Sequence, residues 1–258
     1  MQSKREVVGA DSAPGHASTT RPAPFAIFPH EPLPPRLLTR VDRNCDRGFY
    51  GPFDAQLLAS QAAAYIHSSS DANEELLLQV MHKFLSLAQE DCMAEAAAAG
   101  SARPQATHSC WLCIRLGVPT DAWVVPRWHT DGRMFDCKCP EPKMPHSKYG
   151  FTILGPSTRV MEPNPAVTSI LETGSETGRP WDQNSPDPEL AKRLSEYPQA
   201  TIELGQVIRF SWGQQDSPVH SEPDSTDLDR VFITILFGSE DEVRDMCDFR
   251  EDEYGIWY

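Results

Sequence analysis

The chain has 258 residues and a formal net charge of −14, enough length for one sizeable domain and the wrong sign for a nucleic-acid-binding surface. No apolar run approaches the ~20 residues of a membrane span, and the N-terminus lacks the apolar core of a secretion signal, so a soluble, cytoplasmic protein is expected. The seven cysteines are odd in number with no small framework to staple, which points to reduced thiols.

Residues 1–40 carry prolines at 14, 22, 24, 29, 32, 34 and 35 and read as a flexible, extended arm, with Phe25, Ile27 and Phe28 available to dock on a domain surface. Residues 41–258 are expected to form a single domain. Its helical part spans 52–100. A first helix starts near Pro52 and runs to His67, with Phe53, Leu57, Leu58, Tyr65 and Ile66 as its buried stripe. A second follows the capping-box spacing Asp71-Ala-Asn-Glu74, with Leu76/Leu77, Val80/Met81, Phe84/Leu85 and Ala88 repeating every four residues, and Gly100 as its stop.

After Pro104 the texture turns to β, over a core of 105–238. Strands are predicted at Cys110–Leu116, Ala122–Trp128, Tyr149–Leu154, Thr158–Met161, Thr201–Leu204, Gln206–Trp212 and Val231–Phe237. The last is apolar at almost every position, as in a strand covered on both faces. Residues 137–148 read as a loop. Residues 162–199 form a Pro- and acid-rich insertion, read as a lid, with one helical candidate at Pro188–Tyr197. Residues 239–258 read as an acidic, solvated tail, since Glu240–Glu253 holds eight acidic residues against Arg244 and Arg250. The class is mainly β with N-terminal helices, an antiparallel sandwich or barrel buttressed by the two helices.

The chemistry gathers at Arg127-Trp-His-Thr-Asp-Gly132. On a strand, His129 and Asp131 share a face. His220, after the strand Gln206–Trp212, supplies a second imidazole. Two histidines and one carboxylate hold one face of an octahedral metal and leave the other open, the ligand set of non-haem Fe(II) oxygenases. Arg230, ten residues beyond His220, opens the last strand. His108 and His146 have no partner at ligand spacing and read as surface residues, and Arg127, Trp128 and Arg159 fall where a substrate mouth would lie, with packing the favoured role for Trp128. The competing metal reading is a four-thiolate zinc site from Cys110, Cys113, Cys137 and Cys139, which would make the chain a binding module. Cys110–Leu116 reads as a strand interior, which places residues three apart on opposite faces.

With His129-Thr-Asp131, His220 and Arg230 in this order, residues 105–238 resemble the Fe(II)/2-oxoglutarate-dependent oxygenase superfamily. The resemblance implies a double-stranded β-helix (jelly-roll) core. It implies an oxidoreductase, a dioxygenase acting on a small-molecule substrate, with no nucleic acid or membrane partner. His129, Asp131 and His220 would bind Fe(II), and Arg230 would hold the far carboxylate of the cosubstrate 2-oxoglutarate. Hydroxylation, desaturation and ring closure are all open as outcomes. Many members place a Ser or Thr two residues past this arginine. Here that position is Phe232 and the first hydroxyl on the face is Thr234, so either the cosubstrate pocket differs or Tyr149 or Thr152 from the neighbouring strand serves. The departure keeps open an oxygenase of the same fold that does not use 2-oxoglutarate.

Overall fold

The structure, a computed structural model, describes residues 23–29, 31–98, 108–132, 147–173, 185–212, 216–250 and 256–257. Gly100, Cys137, Cys139 and His146 lie outside the described residues, as do most of the 137–148 loop, the centre of the insertion and the first 22 residues of the arm.

Among the described residues seven strands form one sheet. In chain order they are β1 (Phe25–Ile27), β2 (Cys45–Pro52), β3 (Ser109–Gly117), β4 (Ser147–Leu154), β6 (Val207–Ser211), β8 (Arg230–Gly238) and β9 (Ile256–Trp257). The spatial order is β1-β6-β4-β8-β3-β2-β9, and every pair except β2–β9 is antiparallel. A small antiparallel pair, β5 (Arg159–Val160) with β7 (His220–Ser221), stands apart. Among the described residues there are also five helices: α1 (Ala55–His67), α2 (Glu74–Ala98), α3 (Pro165–Thr173), α4 (Pro188–Leu194) and α5 (Glu240–Arg250). Among the described residues no helix is long and apolar enough to cross a membrane.

Period-two alternation along the central strands sorts their side chains between two layers. On β8, Val231, Ile233, Ile235 and Phe237 join a core with Leu77, Met81, Phe84 and Leu85 of α2 and with Leu58 and Ile66 of α1. Each of these fully buried side chains contributes ~1.5–3 kcal/mol of transfer free energy, before chain entropy is charged against it. The alternate residues, Arg230, Phe232 and Thr234, face the opposite side and line a cavity. The helices α1 and α2 therefore cover one face of the sheet, and the cavity opens on the other.

Several local readings shift. The first helix begins at Ala55, because Pro52 closes β2 opposite Ser109 and Asp54 caps the helix by accepting from the Leu57 N–H at 2.9 Å. That start rotates the buried stripe onto Leu58, Ala59, Ala62, Ala63 and Ile66 and leaves Leu57 43% exposed. For α2 the N-terminal cap is Asn73, whose Oδ1 accepts from the Leu76 N–H at 3.0 Å. Asp71 instead accepts from the N–H groups of Thr39 and Arg40, so it anchors the end of the arm. The arm itself contributes β1: Phe25 and Ala26 are fully buried, and Phe25–Ile27 pairs with β6.

Ala122–Trp128 is not a strand. Val124 N–H donates to the Asp121 carbonyl at 3.2 Å, and Pro126 has no N–H to give a neighbour, so the segment turns and becomes extended only as it reaches His129. Thr201–Leu204 is likewise irregular, turning at Gly205, whose φ of +88° suits glycine. The acidic segment folds as α5, because Val243 and Met246 recur on one face and bury against Tyr50, Trp111 and Leu236. Within the insertion, α3 and α4 pack Val167, Leu171, Leu190 and Leu194 against Trp128, Met161 and Val219. Trp128 is a core residue, 2% exposed.

Candidate metal centre

His129 and His220 are brought together by backbone pairing. His129 N–H donates to the His220 carbonyl at 3.0 Å and His220 N–H to the His129 carbonyl at 2.8 Å, an isolated antiparallel bridge continuing the β5–β7 pair. Residues directly opposite in such a pair project on one side, and the two imidazole centroids lie 4.3 Å apart. Asp131 follows His129 on an extended segment and returns to the same point. One ligand atom from each of His129, Asp131 and His220 lies within 4.8 Å of the others, the only such group of three His, Cys, Asp or Glu side chains among the described residues.

The hydrogen bonds fix which ring nitrogen is available. His129 Nδ1 lies 2.8 Å from the Arg127 carbonyl and His220 Nδ1 lies 3.0 Å from the Pro218 carbonyl. A carbonyl only accepts, so both Nδ1 atoms carry a proton, and Nε2 is the nitrogen that bears the lone pair in the neutral ring. Arg127 reports the same tautomer from the other side: its guanidinium, which can only donate, lies 3.3 Å from His129 Nε2. Metal-binding histidines are commonly oriented in this way, with the second nitrogen tied to the protein. Burial, His220 and Arg127 push the His129 pKa down to about 4, so the ring is neutral at pH 7.

Asp131 stays ionised. Burial alone would raise its pKa, but the Lys148 ammonium in contact with it, and His220 beside it, hold the carboxyl well below the usual carboxylate range. His220 Nε2 stands 3.6 Å from Asp131 Oδ1, beyond hydrogen-bond distance. Arg127 is held in turn by Glu222, through Nη2–Oε1 at 2.5 Å and Nε–Oε2 at 3.1 Å. Arg127 also lies over the Trp123 ring, 5.6 Å from its centre. Two imidazole nitrogens and one carboxylate oxygen, converging at a largely enclosed point, fit a divalent first-row metal.

Arg230 shares the cavity, of about 230 Å³, with these three residues. Its guanidinium donates to the Pro156 carbonyl and to Thr158 Oγ1, each at 3.0 Å, and lies 4.4 Å from the centre of the Phe232 ring. These acceptors are neutral, and no carboxylate among the described residues comes within ion-pair distance of it. Burial lowers its pKa to about 10, which leaves it a cation at neutral pH.

The hydroxyl beside Arg230 is thus Thr158, which the sequence did not single out. Thr234 does line the cavity, whereas Thr152, paired with Phe232, does not. Tyr149 lies on the other face of β4, in the helix-side core, where its hydroxyl donates to Asp91 Oδ2 at 2.9 Å. It is too far round the strand to serve the cavity, a plain consequence of the two-residue period. Lys148, its neighbour, faces the site instead. Of the two described cysteines in the zinc reading, Cys110 buries in the helix-side core and Cys113 among Tyr50 and Trp111, on opposite faces, so they cannot share an ion. No disulfide joins the described cysteines.

No protein-family model matches the chain, and no curated protein does. Solved structures resemble it faintly. A dioxygenase for auxin oxidation from rice is 12% identical over 81% of this chain and 59% of its own, with a TM-score of 0.42. The Arabidopsis thaliana dioxygenase for auxin oxidation 1, solved with 2-oxoglutarate, is 9% identical over 79% of this chain and 68% of its own, with a TM-score of 0.41. EvdMO1 is 18% identical over 57% and 30%, with a TM-score of 0.30. The chain thus spans 59% of the length of the rice enzyme.

Proposed function

We propose that this protein is a non-haem oxygenase that binds Fe(II) through His129, Asp131 and His220 and uses 2-oxoglutarate to oxidise a small molecule. The observation that carries the reading is the convergence of two Nδ1-protonated histidines and one buried carboxylate within 4.8 Å. On this reading the main sheet, and the small β5–β7 pair extended by the 129–220 and 161–199 bridges, are the two walls of a jelly roll.

Iron bound there would supply the redox chemistry: 2-oxoglutarate, O2 and substrate R–H become succinate, CO2 and R–OH, or the corresponding desaturated or cyclised product with water. The chain's own part is to bind, orient and shield. Arg230 is a part-buried guanidinium whose acceptors among the described residues are neutral, suited to take a carboxylate with Thr158 alongside. Thr158 thereby answers the absence of a hydroxyl at Phe232. A second cavity of about 260 Å³ shares Arg115 and Arg230 with the first and is the natural place for the substrate. A reducing, cytoplasmic location belongs to the same reading, since Fe(II) and thiols both need one.

The test is O2-dependent succinate release from 2-oxoglutarate by the Fe(II)-loaded protein. Release lost in Arg230→Gln, with metal binding retained, supports the assignment. Fe(II)-loaded wild type that neither binds 2-oxoglutarate nor releases succinate would overturn it.

A further inference from the structure

Lys148 is a cation built into the wall of the site, and the proposed reaction gives it no part beyond its contact with Asp131. It sits near the start of β4 on the cavity face, 9% exposed, with its ammonium in contact with Asp131 and 4.4 Å from the centre of the Phe210 ring. Arg127, the other cation against a ligand atom, already has Glu222 as its counter-ion. Among the described residues, Asp131 is the one carboxylate within ion-pair distance of Lys148.

A divalent ion on Asp131 would take the carboxylate that Lys148 now holds. It would also bring two further positive charges close to a buried ammonium, where neither water nor salt screens them well. A buried charge deprived of its partner is costly, so the bare ion and Lys148 compete for one carboxylate. An anion entering with the metal removes the conflict, because it cancels the added positive charge inside the same cavity.

From these contacts we infer that Lys148 makes metal binding conditional on an anionic co-ligand. The site holds a divalent ion weakly alone and tightly together with a 2-oxo acid. The inference rests on the metal site proposed above. Coupling between two ligands is reciprocal, so the anion gains in affinity by the same factor as the metal. The cell would thereby load metal and cosubstrate as a pair, and metal would be lost when the cosubstrate is scarce.

Calorimetry on the full-length, metal-free protein tests this with Mn(II), which is stable in air, with and without saturating 2-oxoglutarate. Lys148→Met should bind Mn(II) alone about tenfold more tightly than wild type, and the gain conferred by 2-oxoglutarate should shrink by about the same factor. Lys148→Arg, which keeps the charge, should behave as wild type. Should Lys148→Met fail to fold, Lys148→Gln carries the same expectations. Folded, uncharged variants that bind Mn(II) alone no more tightly than wild type, with the 2-oxoglutarate gain unchanged, would overturn the inference. Wild type that binds no Mn(II) under either condition would instead remove the metal site itself.

Discussion

Gly155→Ala isolates the support beneath Arg230. Gly155 has φ +78°, and a Cβ there would fall well inside contact distance of the Asp229 carbonyl oxygen and 3.1 Å from Arg230 Cα. The left-handed conformation costs an alanine ~1–2 kcal/mol, and overlap with fixed backbone adds roughly 1–3 kcal/mol more. A loss of about 2–5 kcal/mol in urea unfolding is expected. The functional consequence follows from the next residue. Pro156 carries the carbonyl that Arg230 Nε donates to, so parting the 155 turn from β8 releases the guanidinium. On Mn(II)-loaded protein, 2-oxoglutarate should bind about tenfold more weakly, since a buried charge-assisted contact is worth ~1.5–3 kcal/mol. The affinity for Mn(II) itself should hold, because the 129–220 bridge is untouched. Gly132→Ala, which meets nothing within 4 Å, serves as the stability comparison and should change little, within about 0.5 kcal/mol. A Gly155→Ala protein as stable as wild type, with unchanged 2-oxoglutarate affinity, would refute this account of Arg230.

Three further expectations follow from buried charge. His129 has its pKa lowered from 6.5 to about 4, so between those values the unfolded chain binds the extra proton. The stability it contributes is present above about pH 6.5 and is lost as pH falls towards 4, on the order of 3 kcal/mol in all. Urea titrations of metal-free protein across that range should show the slope, and His129→Asn should flatten it. Arg209, fully buried, bridges Asp91 at 3.1 Å and Glu95 at 3.0 Å and donates to the Ala23 carbonyl at 3.0 Å. Arg209→Met should cost ~3–5 kcal/mol by leaving two carboxylates without their cation, and adding Asp91→Asn and Glu95→Gln should restore part of it. Arg230→Gln should weaken 2-oxoglutarate by about tenfold or more, read by calorimetry, while Mn(II) affinity stays within about twofold.

What could be read from the sequence divides along physical lines. The segment α2 has an unbroken four-residue apolar period, and β3 and β8 are near-continuous apolar runs, and one dominant interaction, burial on the sheet, determined all three. Phe25, Ile27 and Phe28 were legible as docking residues but not as a strand, because a three-residue edge strand needs little propensity of its own once β6 offers a partner. The acidic stretch concealed α5 because charge density overshadowed a face as narrow as Val243 and Met246. Ala122–Trp128 misled in the other direction: β-branched and aromatic residues suggested a strand, but Pro126 and the Asp121 turn denied it a ladder. His129, Asp131, His220 and Arg230 were legible because each chemistry needs its residue type. Lys148 and Thr158 were not, because the roles of an ordinary lysine and threonine depend on which face and which neighbour the register gives them. Lys148 had one available signal, the alternation of β4, which places it opposite in phase to Tyr149.

Iron content after anaerobic reconstitution bears most directly on the centre. With Fe(II) and 2-oxoglutarate supplied together, the wild-type protein should retain about one iron per chain and develop the weak visible charge-transfer band of a chelated 2-oxo acid. His129→Ala and His220→Ala, still folded by circular dichroism, should lose both the iron and the band. Full iron retention in either variant, or iron-loaded wild type with no band in the presence of 2-oxoglutarate, would contradict the account.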